Sequence, residues 1–400
     1  MTIAMNDCRL TPSSNGDFSA RVLTSAADIE ALRSSWERLS WNPNADMDFF
    51  LLISEMRKQE PRIVVVCRGP EVVAIAAARI VPTTVKCSFG YRTLYAPRVR
   101  ELAVVHGGVM GTISEEVPSL LLKALISILE NGEADVLALH LIKTDSPLAQ
   151  LALRYSPAWC RGFSPETQSH HTLILPKRRE DLFMNMKSKH RSDLRRLSKV
   201  LEKKFQGQVR VQCFRSPDEA TRFCAEAEAV SRKSYHTALG FGFVYDEEQR
   251  RRALLWARRG SFLGYMMYIG DKPCAYWCGP LYGSVYHLAS TAFDPEYRQH
   301  EIGTVLLTRV IEDMFNQGRP VTEVDFGRGD AGYKRTICTD QWQETTVYIF
   351  AKSGRSIGIN LIRTPILGAG RVVQFVSRRL RFEQRIKTMW RRHAENTLKS

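Results

Sequence analysis

Chemistry in this chain is most concentrated in Val324-Asp325-Phe326-Gly327-Arg328-Gly329-Asp330-Ala331-Gly332-Tyr333-Lys334-Arg335. A strand pattern runs there into a glycine-spaced turn that brings carboxylates, a phenol and fixed cations together. Such a set can move a proton and hold a developing negative charge. The plainer alternative is a surface turn of ion pairs. Asp325-Phe326-Gly327 invites a kinase reading, but no His-Arg-Asp loop and no phosphate-covering glycine loop precede it, so that reading fails.

Elements must bring these residues together. The chain has 400 residues, 44% of them hydrophobic, enough apolar material for two cores of under about 200 residues each. No apolar run reaches the roughly 18 residues needed to span a bilayer, and residues 1–20 lack a secretory segment. A cytoplasmic chain is expected. The nine cysteines are scattered through apolar runs, and Cys274 and Cys278 lack the turn geometry of a zinc pair, so buried free thiols are expected and no metal. The net charge of +15 is local. Residues 187–204 carry a net +6 and residues 352–400 a net +10, which favours docking surfaces over general solubility.

A disordered start, 1–19, precedes two similar runs of elements. The first reads as a strand at Arg21–Thr24, helices at Ala27–Leu39 (capped by Ser25) and Phe49–Lys58, and strands at Arg62–Cys67 and Val72–Val81. It continues with a strand at Leu102–His106, a helix at Glu115–Glu130, a strand at Asp135–Ile142 and a helix from Pro147 to Arg154. The second reads as a strand at Gln208–Phe214, helices at Pro217–Ser234 and Asp246–Arg259, and a hairpin of Phe262–Ile269 and Lys272–Gly279. A strand at Ser284–Ala289, a helix at Glu301–Asn316 and strands at Val321–Phe326 and Thr345–Ala351 complete it. This is a duplicated α/β module, each copy a mixed sheet flanked by helices, with the boundary between Tyr155 and Gln168. The domains are expected at 20–165 and 166–352, with a basic amphipathic segment at 353–400.

The second half resembles the GNAT acyltransferase superfamily, in the branch of the CelD-type acetyltransferases and the FemAB-like peptidyltransferases. Three stretches carry the resemblance: the basic helix Lys187 to Leu197, Ala292-Phe293-Asp294-Pro295-Glu296-Tyr297 with Gly303 at the next helix start, and Asp325 to Asp330 leading to Tyr333-Lys334-Arg335. It spans about residues 170–350 and implies two tandem GNAT-like modules, the first degenerate. Two departures stand out. The loop Arg298-Gln299-His300-Glu301-Ile302-Gly303-Thr304 has one glycine where the family has a glycine-rich phosphate cradle, and Thr336 to Thr339 replaces the family's aromatic-glycine pair.

Roles follow on that footing. Tyr333 would protonate a leaving thiolate or alkoxide, and Lys334 would stabilise the oxyanion of an acyl-transfer intermediate. Asp330 is a base or a helix cap, and Asp325 orients Lys334 or Arg328. His287 lies where acyltransferases of this type place a base, although a strand histidine is more often a packed residue. The resemblance implies acetyl-CoA or another acyl-CoA as donor, held at Arg298, Gln299, Ile302, Gly303 and Thr304. Lys189 and Arg196 would attract a phosphate-bearing substrate, and Tyr235, His236 and Arg328 would touch the acceptor.

The expected activity is acyl transfer from acyl-CoA to an amine or hydroxyl of a sugar, polysaccharide precursor or peptide. Two alternatives stand beside it: a FemAB-like transferase taking its aminoacyl group from tRNA, and a non-catalytic scaffold of exopolysaccharide assembly. From Arg371 to Arg392 a helical projection gathers Val372, Phe375, Val376, Leu380, Phe382, Ile386 and Trp390 on one side and Arg378, Arg381, Arg385 and Arg392 on the other. Such a helix fits an anionic membrane surface or packs on its own domain. Oligomeric state is not legible.

Overall fold

The computed structural model describes residues 18–89, 92–113, 116–155, 157–163, 167–182, 184, 188–234 and 242–379. The expected disordered start therefore lies almost wholly outside the described residues. Two compact units form, one from residues 18–168 and 343–379 and the other from 169–342.

In the first unit the strands β1 (Phe18–Leu23), β2 (Glu60–Arg68), β3 (Glu71–Thr84), β6 (Arg98–Gly111) and β7 (Val136–Lys143) follow one another across the sheet. Only β6 and β7 run parallel. A small hairpin of β4 (Cys87–Phe89) and β5 (Arg92–Tyr95), which no alternation in the sequence announces, stands apart. The helix expected at 27–39 breaks into α1 (Ala26–Glu30) and α2 (Arg33–Leu39), with Ser25 Oγ accepting from Asp28 N at 3.1 Å as its cap. These and α3 (Met47–Met56) bury Ile29, Trp36 and Phe50 against Ile63, Val65 and Ile75. The other face of the sheet, with Val64 of β2, Ala76 of β3 and Leu137 of β7, takes Leu121 and Leu125 of α4 (Val117–Glu130), with α5 (Pro147–Leu153) beside it. A strand buried on both faces reads as an unbroken apolar run, which is why Ile63 to Cys67 carries no polar alternation.

The second unit repeats the plan. Its sheet runs β8 (Thr167–Ile174), β14 (Glu323–Arg328), β12 (Val285–His287), β11 (Lys272–Tyr282), β10 (Phe262–Ile269) and β9 (Val209–Phe214), with β13 (Ser290–Phe293) also on β11. Helix α6 is Ser188–Lys204, α7 Pro217–Lys233, α8 Glu247–Arg258, α9 Ile302–Asp313 and α10 Gly332–Ile337. Ser216 and Glu219 close a capping box at the start of α7. Ile302, Val305 and Leu306 of α9 meet Tyr265, Met267, Tyr286 and Val324, while Phe223 of α7 packs on Phe214 and Tyr276 across the sheet. Strand β8 was not expected, because the run after the linker is short and opens on two histidines.

The strand expected at 284–289 is present as β12 (Val285–His287), and β13, which was not expected, follows it. Residues Val285–His287 pair in parallel with Glu323–Asp325 of β14, and then the chain leaves β14 and follows β11 as Ser290–Phe293. Gly279 makes the bend feasible: a Cβ there would lie 1.8 Å from the His287 carbonyl oxygen.

The end of the chain corrects the expected domains. Strand β15 (Asp340–Phe350) is antiparallel to β7, from Glu344 opposite Lys143 to Phe350 opposite Val136, so from Gln343 it belongs to the first unit. Helix α11 (Gly354–Arg379) follows it there: Ile359 joins Val136, Phe350 and Cys87 in a core, and Asn360 Nδ2 donates to the carbonyls of Trp159 and Arg161 at 2.7 and 2.8 Å. Arg363 lies over the Tyr348 ring and Arg371 over Phe163. The segment expected at 353–400 is thus part of the first unit as far as Arg371. The side chains of 372–379 and everything beyond lie outside the described residues, and with them most of the projected amphipathic face. No described helix is long and apolar enough to cross a membrane.

Candidate active site

The divergence of β12 and β14 sets the geometry. Parallel pairing ends with His287 opposite Asp325, and beyond that point β13 keeps β11 while β14 keeps β8. A wedge opens at the carboxyl ends of the two parallel strands, the place where open α/β sheets bind ligands. The edge of β13 away from β11 has no strand partner among the described residues, so its N–H and C=O groups are available to an amide-bearing chain.

At the root of the wedge Asp325 is bound on both oxygens. Oδ1 accepts from Gly327 N at 2.7 Å and pairs with His170 Nε2 at 2.6 Å, while Oδ2 pairs with His287 Nδ1 at 3.0 Å. Burial works to raise the Asp325 pKa, but the hydrogen bonds and charges of the two histidines outweigh it and hold the carboxyl well below the usual range. His287 is 9% exposed, and its Nε2 is buried without a hydrogen-bond partner in the structure. With Nδ1–H on the carboxylate, Nε2 carries the lone pair of a base.

The glycine turn has a different task. A bulge sets Asp325 opposite Thr172 and Arg328 opposite His170, and Gly327 (φ 66°) and Gly329 (φ 90°) take the left-handed backbone it needs. The carbonyls of Phe326, Gly327 and Arg328 converge on Lys334 Nζ at 2.8, 3.1 and 2.6 Å. An ammonium has three protons, and all are committed here. The oxyanion role expected of Lys334 is therefore corrected: it is buried, 5% exposed, and holds the turn. Burial also lowers its pKa.

Tyr333 packs edge-on against Trp277 and Phe326, centroids 5.9 and 6.2 Å apart, on the opposite face of the sheet from Asp325. Asp330 neither caps α10 nor approaches the wedge histidines as a base; it is exposed and pairs with Arg335 Nε at 2.7 Å. Asp325 orients histidines, not Lys334 or Arg328, because Lys334 points at carbonyls and the Arg328 side chain is exposed.

At the start of α9, Glu301 takes a left-handed φ of 51° and Thr304 Oγ1 donates to its Oε2 at 3.3 Å. Arg298 and Gln299 are exposed, Ile302 is buried, and Gly303 lies beside Phe293. Arg196 is exposed and pairs with Asp193 at 3.4 Å. The Lys189 side chain, Tyr235 and His236 fall outside the described residues. His170 and Trp342, stacked with centroids 4.3 Å apart at 11°, were missed. The one available signal was the His170-His171 pair entering an apolar run.

Residues 188–335 match the acetyltransferase (GNAT) domain family, the stretch that supplies every residue of the wedge but His170. Over that stretch the second unit is similar to the GNAT acetyltransferase domain family. Solved structures of this fold cover most of the chain. The crystal structure of FemX aligns at a TM-score of 0.54 and 10% identity over 85% of this chain and 100% of that one. A tandem GNAT protein from the clavulanic acid biosynthesis pathway aligns at 0.50 and 11% over 84% and 99%. No curated protein matches the chain. In the first module β6 and β7 part after Val104 opposite Leu139, both apolar, and His140 Nε2 pairs with Glu101 Oε1 across the same strands at 2.8 Å.

Proposed function

We propose that the chain is an N- or O-acyltransferase of CelD-like type, moving an acetyl or other acyl group from acyl-CoA to an amine or hydroxyl of a sugar, polysaccharide precursor or peptide. The observation that carries it is the His287 Nε2 lone pair, oriented by Asp325, at the root of the wedge of a GNAT acetyltransferase domain. His287 takes the proton from the acceptor as its nitrogen or oxygen attacks the thioester carbonyl, and Asp325 offsets the charge of the imidazolium. The imidazolium returns that proton to the departing thiolate, because Tyr333, expected as its donor, lies on the opposite face of the sheet. The Nε2 atom is covered, so an acceptor must displace what lies over it, as happens when catalytic contacts tighten only in the complex.

Purified protein incubated with acetyl-CoA and panels of amino sugars, polyols and peptides should release free thiol in step with acceptor modification. His287→Gln should slow transfer on the order of 100-fold to 10,000-fold. Transfer at the wild-type rate would remove His287 from the chemistry.

The Glu301 carboxylate at the start of α9 favours a second reading, since it repels a diphosphate where acyl-CoA phosphates would sit. Arg196, Lys199, Lys203 and Lys204 of α6 are exposed and suit a tRNA-borne aminoacyl donor. Calorimetry with acetyl-CoA and with charged tRNA separates the two.

A further inference from the structure

We infer that His170 is a positioning residue for the proposed base, acting on His287 through Asp325; the inference rests on the acyl-transfer reading only for its kinetic consequence. One histidine beside a carboxylate is enough to orient it, yet Asp325 has two, reached from different strands. His170 comes from β8, before the matched GNAT segment begins, and is 2% exposed. Its ring is clamped flat against Trp342. Its Nε2 therefore arrives at Asp325 Oδ1 from a fixed direction, at 2.6 Å, while Gly327 N reaches the same oxygen at 2.7 Å.

Two donors on Oδ1 stop the carboxylate from rotating about its Cβ–Cγ bond. The other oxygen, Oδ2, is then aimed at His287 Nδ1. An aspartate pinned on one oxygen and charged at neutral pH accepts from Nδ1–H only, so the neutral imidazole of His287 is held as the Nδ1–H tautomer with Nε2 free to accept a proton. Without His170 the carboxylate keeps a single backbone donor on Oδ1 and can swing. His287 then divides between its two tautomers, and the Nε2–H form cannot act as a base.

His170→Phe keeps the ring volume and the stack on Trp342 but removes the donor, and His170→Gln keeps a donor near the position of Nε2 without the ring. In nitrogen-15 histidine spectra, with the His287 signals assigned by their loss in His287→Gln, wild type and His170→Gln should show one Nδ1–H tautomer and His170→Phe a mixture. Turnover of the acyl-transfer reaction should fall on the order of 10-fold to 100-fold in His170→Phe with KM for the acceptor unchanged, and recover to within a few-fold in His170→Gln. A single, unchanged His287 tautomer in a folded His170→Phe protein overturns the inference. If no protein, wild type included, transfers an acyl group, the function reading fails, and the tautomer ratio still decides the role of His170.

Discussion

At the scale of single residues, the glycine turn that draws the eye in the sequence is held by Lys334, while Asp325 at its start binds His170 and His287. Lys334 closes three converging carbonyls, one buried and two partly buried, so Lys334→Ala removes the donor they share. Chemical denaturation should show a loss of about 1–3 kcal/mol, whereas a purely catalytic lysine would leave stability unchanged. Asp325 has the opposite signature in pH. Its folded pKa lies below its unfolded value of about 3.9, so its stabilisation is complete above that pH and drains away as the pH falls toward the folded value. The stability gap between wild type and Asp325→Asn should narrow as the pH falls below about 4. A gap that stays constant down to pH 2 would mean the two histidine hydrogen bonds are not present in solution.

Among the elements, the one that decides the site is the break between β12 and β13. Strand pairing would carry Val285 through Phe293 straight along β14, but Gly279 lets the His287 carbonyl close onto β11 and turns the chain away. An alanine at 279 cannot be accommodated without moving that backbone. Gly279→Ala should destabilise the second unit by about 1–3 kcal/mol and lower transfer far more than an alanine at the unobstructed Gly283 turn, whose own left-handed φ of 58° costs backbone strain alone. Equal effects of the two changes would show that the break does not depend on the close approach.

For the whole molecule, the two modules do not take their strands in simple succession. Among the described residues the first unit has no strand from its own half beyond β7, and β15, from the far end of the chain and followed by α11, takes that position. Its core includes Val347, Ile349, Phe350 and Ile359. A chain ending at residue 342 should therefore lose the cooperative unfolding of the first unit, read by hydrogen exchange in β6 and β7, while a chain ending at residue 379 keeps it. Intact protection in the shorter chain would show that β15 and α11 are accessory.

The sequence by itself determined the α/β class, the doubled order of elements and most strand and helix positions, because the apolar periodicity and caps such as Ser25 and Ser216 are local signals. It also singled out Asp325 and His287, which the structure brings together. What it did not determine is which partners those residues meet. Asp325 was expected to orient Lys334 or Arg328, nine and three positions away, whereas its partners lie 155 and 38 positions distant, on β8 and β12. Register between strands far apart in the chain is set by the packing of both sheet faces, and a bulge between Asp325 and Arg328 shifts which side chains look inward. For the same reason β15 was placed in the second domain: its alternation marks a strand, and only tertiary packing chooses the sheet that it completes.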